Sequence, residues 1–256
     1  MSDIDFSFKK YNPMTLIANG AWTFANTLQA VLEASKPFLP SLDGMVKIPS
    51  GTFEMGSNDY YTDEGPAHKV TITRDYYLDE TEVTNAEYEH VMGKSPSPKG
   101  FDGPDQPVVL VSWKDADAYC RAINKRLPTE AEWENAATVG GTYSFGSRSG
   151  EEEILEEEVC FKKGRQKGET CNVKDYPPNE LGLYGMSGNV WEWVSDWHDF
   201  YPLGHVVDPK GPQAGEHKML RGVSYCYINS WDLRATKRSA DNPNNYSRDA
   251  GFRCAW

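Results

Sequence analysis

The segment at residues 221–254, RGVSYCYINSWDLRATKRSADNPNNYSRDAGFRC, limits the folds open to this chain more than any other. It has neither the 3.6-residue period of a helix nor the alternation of a strand. Polar, Tyr and Asn positions crowd 225–232 and again 239–250. Asn, Asp and Ser offer the backbone local side-chain bonds in place of a helix or a ladder, so this is irregular chain. Such chain survives inside a compact domain only where a scaffold holds it at the surface, and loops held that way carry function. Tyr gives rigid contact area, and Ser and Asn give adaptable hydrogen bonds, the chemistry of binding loops. Between the two crowded runs stand Leu233, Arg234, Ala235 and Thr236, which read as a fixed piece of core.

The rest of the chain must then supply the scaffold. Of 256 residues 39% are hydrophobic, with 8 Trp and 14 Tyr, enough for one large domain or one domain with an appendage. A net charge of −12 argues against nucleic acid, whose affinity rests on Lys and Arg, and against an anionic membrane surface. No apolar run reaches the roughly 20 residues of a membrane span. No basic start followed by an apolar stretch marks a secretory signal in the chain as given. The 5 Cys stand at 120, 160, 171, 226 and 254, without a C-x-x-C pair, and the 5 His are scattered, so there is no zinc pattern. The odd count leaves one thiol unpaired, or paired between chains.

Residues 1–43 differ from the rest of the chain. Ile17, Ala21, Phe24, Leu28, Val31 and Leu32 share a helical face, and Pro37 and Pro40 end the pattern. This predicts an N-terminal helix over 16–35 docked on a domain of residues 44–256; an anchor is the alternative, and Asn19, Gly20 and Asn26 speak against it. Alternation predicts strands at 46–48, 52–55, 69–73 and 76–78. Capping boxes at Thr84 with Glu87, Ser112 with Asp115 and Thr129 with Glu132 predict helices at 85–92, 113–124 and 130–137. Residues 58–66 read as an acidic loop and 94–107 as a Pro/Gly loop. The acidic run at 151–158 reads as a solvated face, and 161–169 as a basic hairpin-like excursion. In 182–197, Trp191, Trp193 and Trp197 do not fit one strand face together with Val190 and Val194. They read as a buried aromatic hub rather than a stacking platform.

Seven stretches in order carry a resemblance: GTFEMG at 51–56, EGPAHKV at 64–70, EVTN at 82–85, PVVLVSW at 107–113, RLPTEAEW at 126–133, GLYGMSGNVWEW at 182–193 and the segment 221–254. From about Met45 onward the chain is similar to the formylglycine-generating enzyme, or sulfatase-modifying factor, family. The resemblance implies an α+β, loop-rich, C-type-lectin-like fold with small sheets, with residues 1–43 as an extra N-terminal helix. Enzymes of this family use two nearby cysteines in the last segment to hold copper and oxidise a substrate cysteine. Here only Cys226 is present; the place of the second falls near Ser230 and Trp231, and Val223 interrupts the usual Gly-Gly-Ser. A Cu(I) site needs a set of soft thiolates, which one cysteine does not make.

The resemblance also implies a disulfide between Cys120 and Cys254. A second scaffold pair of the family falls at Ala137 and Ala235, a joint loss. Cys160 and Cys171 then pair with each other; buried reduced thiols in a cytosolic protein are the alternative. A calcium site of the family falls on the Gly188 and Val190 carbonyls and the Glu192 carboxylate. The usual side-chain oxygen three residues before Gly188 is missing at Gly185, and a purely structural Glu192 is the alternative. No cofactor is required, and calcium is the one candidate.

Retroelement-diversified variable proteins of the same fold are the most similar branch. Their frame is matched by Arg221, Gly222, Leu233, Arg234, Ala235, Arg238, Pro243, Gly251, Phe252 and Arg253. Residues reachable by adenine changes in Asn codons stand between. The resemblance implies a non-catalytic, receptor- or adhesin-like monomer at the cell surface or outside the cytoplasm. Tyr225, Tyr227, Ile228, Asn229, Trp231, Asp232, Asp241, Asn242, Asn244, Tyr246, Arg248 and Asp249 would converge on one exposed face toward a protein or glycan ligand. If instead the aromatics are core, the Asn residues merely satisfy turns. A copper-dependent formylglycine-generating oxidase acting on a protein cysteine is the alternative function, and a domain of this fold without a site of its own is a third.

Overall fold

In a computed structural model of the protein, the chain divides into two units, Met1–Leu39 and Pro40–Trp256. The structure describes residues 41–146, 154, 157–161 and 168–256. The helix expected over 16–35, most of the acidic run and the middle of the basic excursion lie outside the described residues.

The described strands form three small sheets. β1 (Met45–Ile48) pairs antiparallel with β4 (Tyr76–Asp79). β2 (Gly51–Met55) pairs antiparallel with β3 (His68–Ile72), which takes β6 (Val206–Val207) in parallel on its other edge. In β2, Phe53 and Met55 point inward while Thr52 and Glu54 are exposed, as alternation requires. The central sheet has the order β8 (Arg238–Asp241), β7 (Lys218–Arg221), β5 (Trp191–Trp197), β9 (Ala250–Gly251).

Three helices follow their capping signals: α1 (Asn85–Met92), α2 (Trp113–Ala122) and α3 (Glu130–Ala137). In each the N-cap hydroxyl accepts from the third residue's backbone, whose acid bonds back to the N-cap. α2 stops before the expected 124, because Asn124 adopts a left-handed conformation at φ 56. The result is an α+β, loop-rich domain.

The three tryptophans of the expected hub do lie on one strand, β5, but that strand has core on both faces. Trp191 and Trp193 pack with Val111, Leu127 and Phe252, while Val194 packs with Ile48, Leu78 and Trp133. The buried indole of Trp193 donates to the Val111 carbonyl at 3.1 Å, so its polar end is satisfied. Cys120 on α2 is bonded to Cys254, with Cα atoms 5.7 Å apart, and Cys160 to Cys171, with Cα atoms 6.1 Å apart. No helix among the described residues is long and apolar enough to cross a membrane.

Candidate binding surface

The last segment starts from a turn that its residues dictate. Gly222 has φ +93, and a Cβ there would stand 3.1 Å from the Trp133 ring; glycine meets both demands. Val223 follows at φ 64 and is fully buried. A β-branched residue in the left-handed region is strained, and the surrounding packing has to hold it there.

Beyond the turn, buried arginines anchor the chain. Arg234 is 1% exposed, and its Nη2 donates to Glu64 Oε1 at 2.8 Å. Thr236 Oγ1 donates to the other oxygen of Glu64 at 2.7 Å. Glu130 and Glu134 stand one turn apart on α3. Arg221 reaches both, and Arg238 forks onto Glu130 at 2.7 and 2.9 Å. Burial works against the Glu130 charge, yet Arg238 and then Arg221 hold its carboxyl below its ordinary value. Arg253 forks onto Glu192, both bonds at 2.7 Å. Buried charges must be paired, and each of these arginines meets a carboxylate. Leu233 and Ala235 between them are fully buried.

This framework holds up part of the expected surface. Ile228, Trp231 and Tyr246 are 60%, 50% and 62% exposed. Asn229, Asn242, Asn244 and Arg248 are also exposed, and Tyr227, Asp241 and Asp249 are half-buried. Two residues depart from the expected exposure. Tyr225 is only 7% exposed, because its backbone N–H donates to the Asn189 carbonyl and draws the ring onto Phe101, 5.8 Å between centroids. Asp232 is 6% exposed; it sits in the 3-10 turn Ser230–Leu233 and accepts from Tyr61 Oη at 3.3 Å.

Nor do all twelve meet on one face. Ser224 Oγ donates to Asp249 Oδ2 at 3.1 Å, so the end of the second run lies against the start of the first. Tyr227 sets its ring edge-on to Trp191 in the same region. Asp241, however, pairs with Lys218, while Gly222 leaves β7 beyond Arg221. That is the other end of the strand, about 10 Å away. There Asn244 and Asn245 bond to Asn242 and Asp241 within their own turn. The sheet register thus separates the Asp241, Asn242 and Asn244 turn from the Tyr227 to Trp231 patch.

Sequence reasoning missed two members of that patch. Tyr60 and Tyr61, in a loop that the sequence marks chiefly as acidic, are 54% and 40% exposed. Tyr61 stacks on Trp231 at 6.1 Å and 21°. The Arg234 guanidinium lies 3.5 Å from the Tyr60 ring centroid, and Lys237 Nζ lies 3.2 Å from that of Tyr61. Burial pulls the Lys237 ammonium below its usual range. The signal available was the adjacent tyrosine pair in a loop of Asn, Asp and Gly.

Cys226 is exposed and is the free thiol among the described residues. Ser230 and Trp231, where a second copper cysteine would fall, lie in the 3-10 turn. The calcium set does not fit the ion. Both Glu192 oxygens are taken by Arg253 and by the Trp133 indole, at 2.7 to 2.8 Å. A Cβ at Gly185 would meet Glu82 Oε1 at 2.5 Å, so the place of the usual side-chain ligand is filled. Glu82 Oε2 has no hydrogen bond among the described residues, but Arg253 stands 4.0 Å from it, where a divalent cation would be repelled. Among the described residues no group of three or more His, Cys, Asp or Glu is placed to hold a metal.

The family described as the sulfatase-modifying factor enzyme 1-like domain matches residues 29–256. The formylglycine-generating enzyme of Streptomyces coelicolor is 34% identical over 282 residues, which cover 84% of this chain and 90% of that protein. A Chlamydia pneumoniae protein named serine/threonine-protein kinase pkn1 is 35% identical over 261 residues; the match takes in 89% of this chain but only 40% of that protein. The solved structure of Treponema denticola variable protein 1 superposes with a TM-score of 0.73 at 27% identity, covering 82% of this chain and 94% of that one. With its seven ordered motifs and its loop-rich C-type-lectin-like fold, the chain belongs to the sulfatase-modifying factor family of formylglycine-generating enzymes and their relatives.

Proposed function

We propose that this chain is a non-catalytic binding module, displayed as a monomer outside the cytoplasm, that presents its last segment to a protein or glycan ligand. The observation that carries this reading is the exposed patch of Tyr60, Tyr61, Ile228 and Trp231, seated on the buried Arg234–Glu64 pair. Aromatic anchors on a rigid base lose little conformational freedom on binding, which favours affinity. The likeness to a variable protein supports the same reading. Asn242, Asn244 and Tyr246 supply a second, more polar patch. Two disulfides support an oxidising compartment.

The test is a screen of the purified chain against arrays of glycans and of extracellular proteins, with the Ile228→Asp/Trp231→Ala variant alongside. A saturable ligand whose affinity falls about tenfold or more in the variant, at unchanged melting temperature, is the expected outcome. A ligand indifferent to these changes removes the patch from the reading. The oxidase alternative has its own assay, incubation with Cu(I) and a sulfatase-motif cysteine peptide. Aldehyde formation that depends on Cys226 would make the chain an enzyme.

A further inference from the structure

A cavity of about 440 Å³ opens beneath the loop that follows β5. That size lies within the range of small-molecule sites. Met55, Trp197, Phe200, Tyr201, Val206 and Pro209 give it an apolar and aromatic wall. Four nearly buried polar side chains also line it; Glu130 and Arg238 are paired with each other, and the other two are Asp196 at 4% exposure and His68 at 6%.

Asp196 and His68 each have one atom left over. Asp196 Oδ2 accepts from the Glu130 backbone N–H and from Ser195 Oγ, both at 2.9 Å. Its Oδ1 has no hydrogen-bond partner among the described residues. It lies toward Gly211, another wall residue, where a Cβ would stand 3.3 Å from it. His68 Nδ1 lies 3.0 Å from the Pro66 carbonyl, which can only accept, so Nδ1 carries the proton. In the neutral ring Nε2 is then an acceptor, and it too has no partner among the described residues. Two unused acceptors beside aromatic walls call for a ligand rich in N–H donors, and aromatic faces favour a cation.

We propose that this cavity binds a small organic cation, a primary ammonium on a short apolar or aromatic stem. The ammonium donates to Asp196 Oδ1, His68 Nε2 takes a further donor, and the stem lies against Trp197, Tyr201 and Val206. Burial, and then the charges of Glu130 and Glu132, push the Asp196 carboxyl up to about 7. Lys218 acts on Asp196 from β7. Asp199, Lys210 and Arg238 also line the cavity, with Arg238 paired to Glu130. Ionised Asp196 attracts the ligand and protonated Asp196 does not, so binding strengthens as pH rises through about 7. None of these residues belongs to the patch above, so this site and that one fail independently.

Benzylamine, benzyl alcohol and benzoate share a ring and differ in the charge of the head group. Each is titrated calorimetrically into the full chain at pH 8. Benzylamine should saturate and bind about tenfold or more tighter than the alcohol, and benzoate should not bind. Benzylamine affinity should fall about tenfold at pH 6, following the ionised fraction of Asp196. Asp196→Asn should erase the preference for the amine. Because Asp196 also holds the first backbone N–H of α3, Val207→Trp on the exposed rim gives a second variant that blocks the mouth and leaves Asp196 intact. It should abolish binding of amine and alcohol alike. Equal affinity for the three probes, no saturation by benzylamine at pH 8, or amine binding unchanged in either folded variant would overturn the proposal.

Discussion

Trp191 and Trp231 place the same side chain in opposite settings. Trp191 is 5% exposed in the core, whereas Trp231 is 50% exposed on the patch. Trp191→Ala should therefore destabilise the fold by about 3–5 kcal/mol. Trp231→Ala should change stability by only about 0.5 kcal/mol while weakening ligand binding by about 1–3 kcal/mol. Urea titrations of the two variants separate these effects. Glu82 gives a pH-dependent case. Burial, eased by Arg253 and reinforced by the like charge of Glu192, pushes its carboxyl up to about 8. A carboxyl whose folded pKa is raised contributes stability in full below its unfolded value, near 4.5, and loses it as pH rises through about 8. Glu82→Gln should melt above the wild type at pH 9, and the gap should narrow as pH falls and close only near pH 4.5. Parallel melting curves across that range would mean that Arg253 keeps Glu82 ionised. At the neighbouring Glu192 both oxygens are occupied, so neither added calcium nor a chelator should move the melting temperature.

At the scale of elements, local chemistry was legible and long-range coverage was not. The three helix starts follow from a hydroxyl and an acid three residues apart, a signal complete within one turn. Thr129→Ala should accordingly cost about 1 kcal/mol of stability in thermal or urea unfolding. The end of α2 depended on the backbone of one asparagine, Asn124, which composition does not fix. The double-sided burial of β5 depends on β7 and β9 from far along the chain. No window around Trp191 contains that information. The candidate site divides in the same way. The exposure of Ile228, Trp231 and Tyr246 was readable from a polar, turn-rich context. The burial of Tyr225 rests on one bond to Asn189, and the separation of Asp241 from Tyr227 rests on the register of β8 against β7. Tyr60 and Tyr61 join the patch through contacts to Trp231 and Arg234, far from them in sequence.

The molecule as a whole divides its last segment between residues that hold it and residues that face outward. Leu233, Ala235, Arg234, Arg238 and Arg253 are buried, and every one of the arginines meets a carboxylate. Cys254 is tied to α2 across 134 residues of sequence, a closure that the chain-entropy view values at about 5 kcal/mol. The side chains of Ile228, Asn229, Trp231, Asn242, Asn244 and Tyr246 lie outside the buried core and are all exposed. Exposed substitutions typically change stability by about 0.5 kcal/mol each. Serine at all six positions at once should thus leave a folded chain within about 3 kcal/mol of the wild type, with its circular dichroism unchanged. Leu233→Ala alone, in the held set, should cost about 2–5 kcal/mol. The two variants are compared by urea unfolding. If the six-position variant loses clearly more than about 3 kcal/mol or does not fold, the outward residues hold the fold as well, and the segment is not free to vary for a ligand.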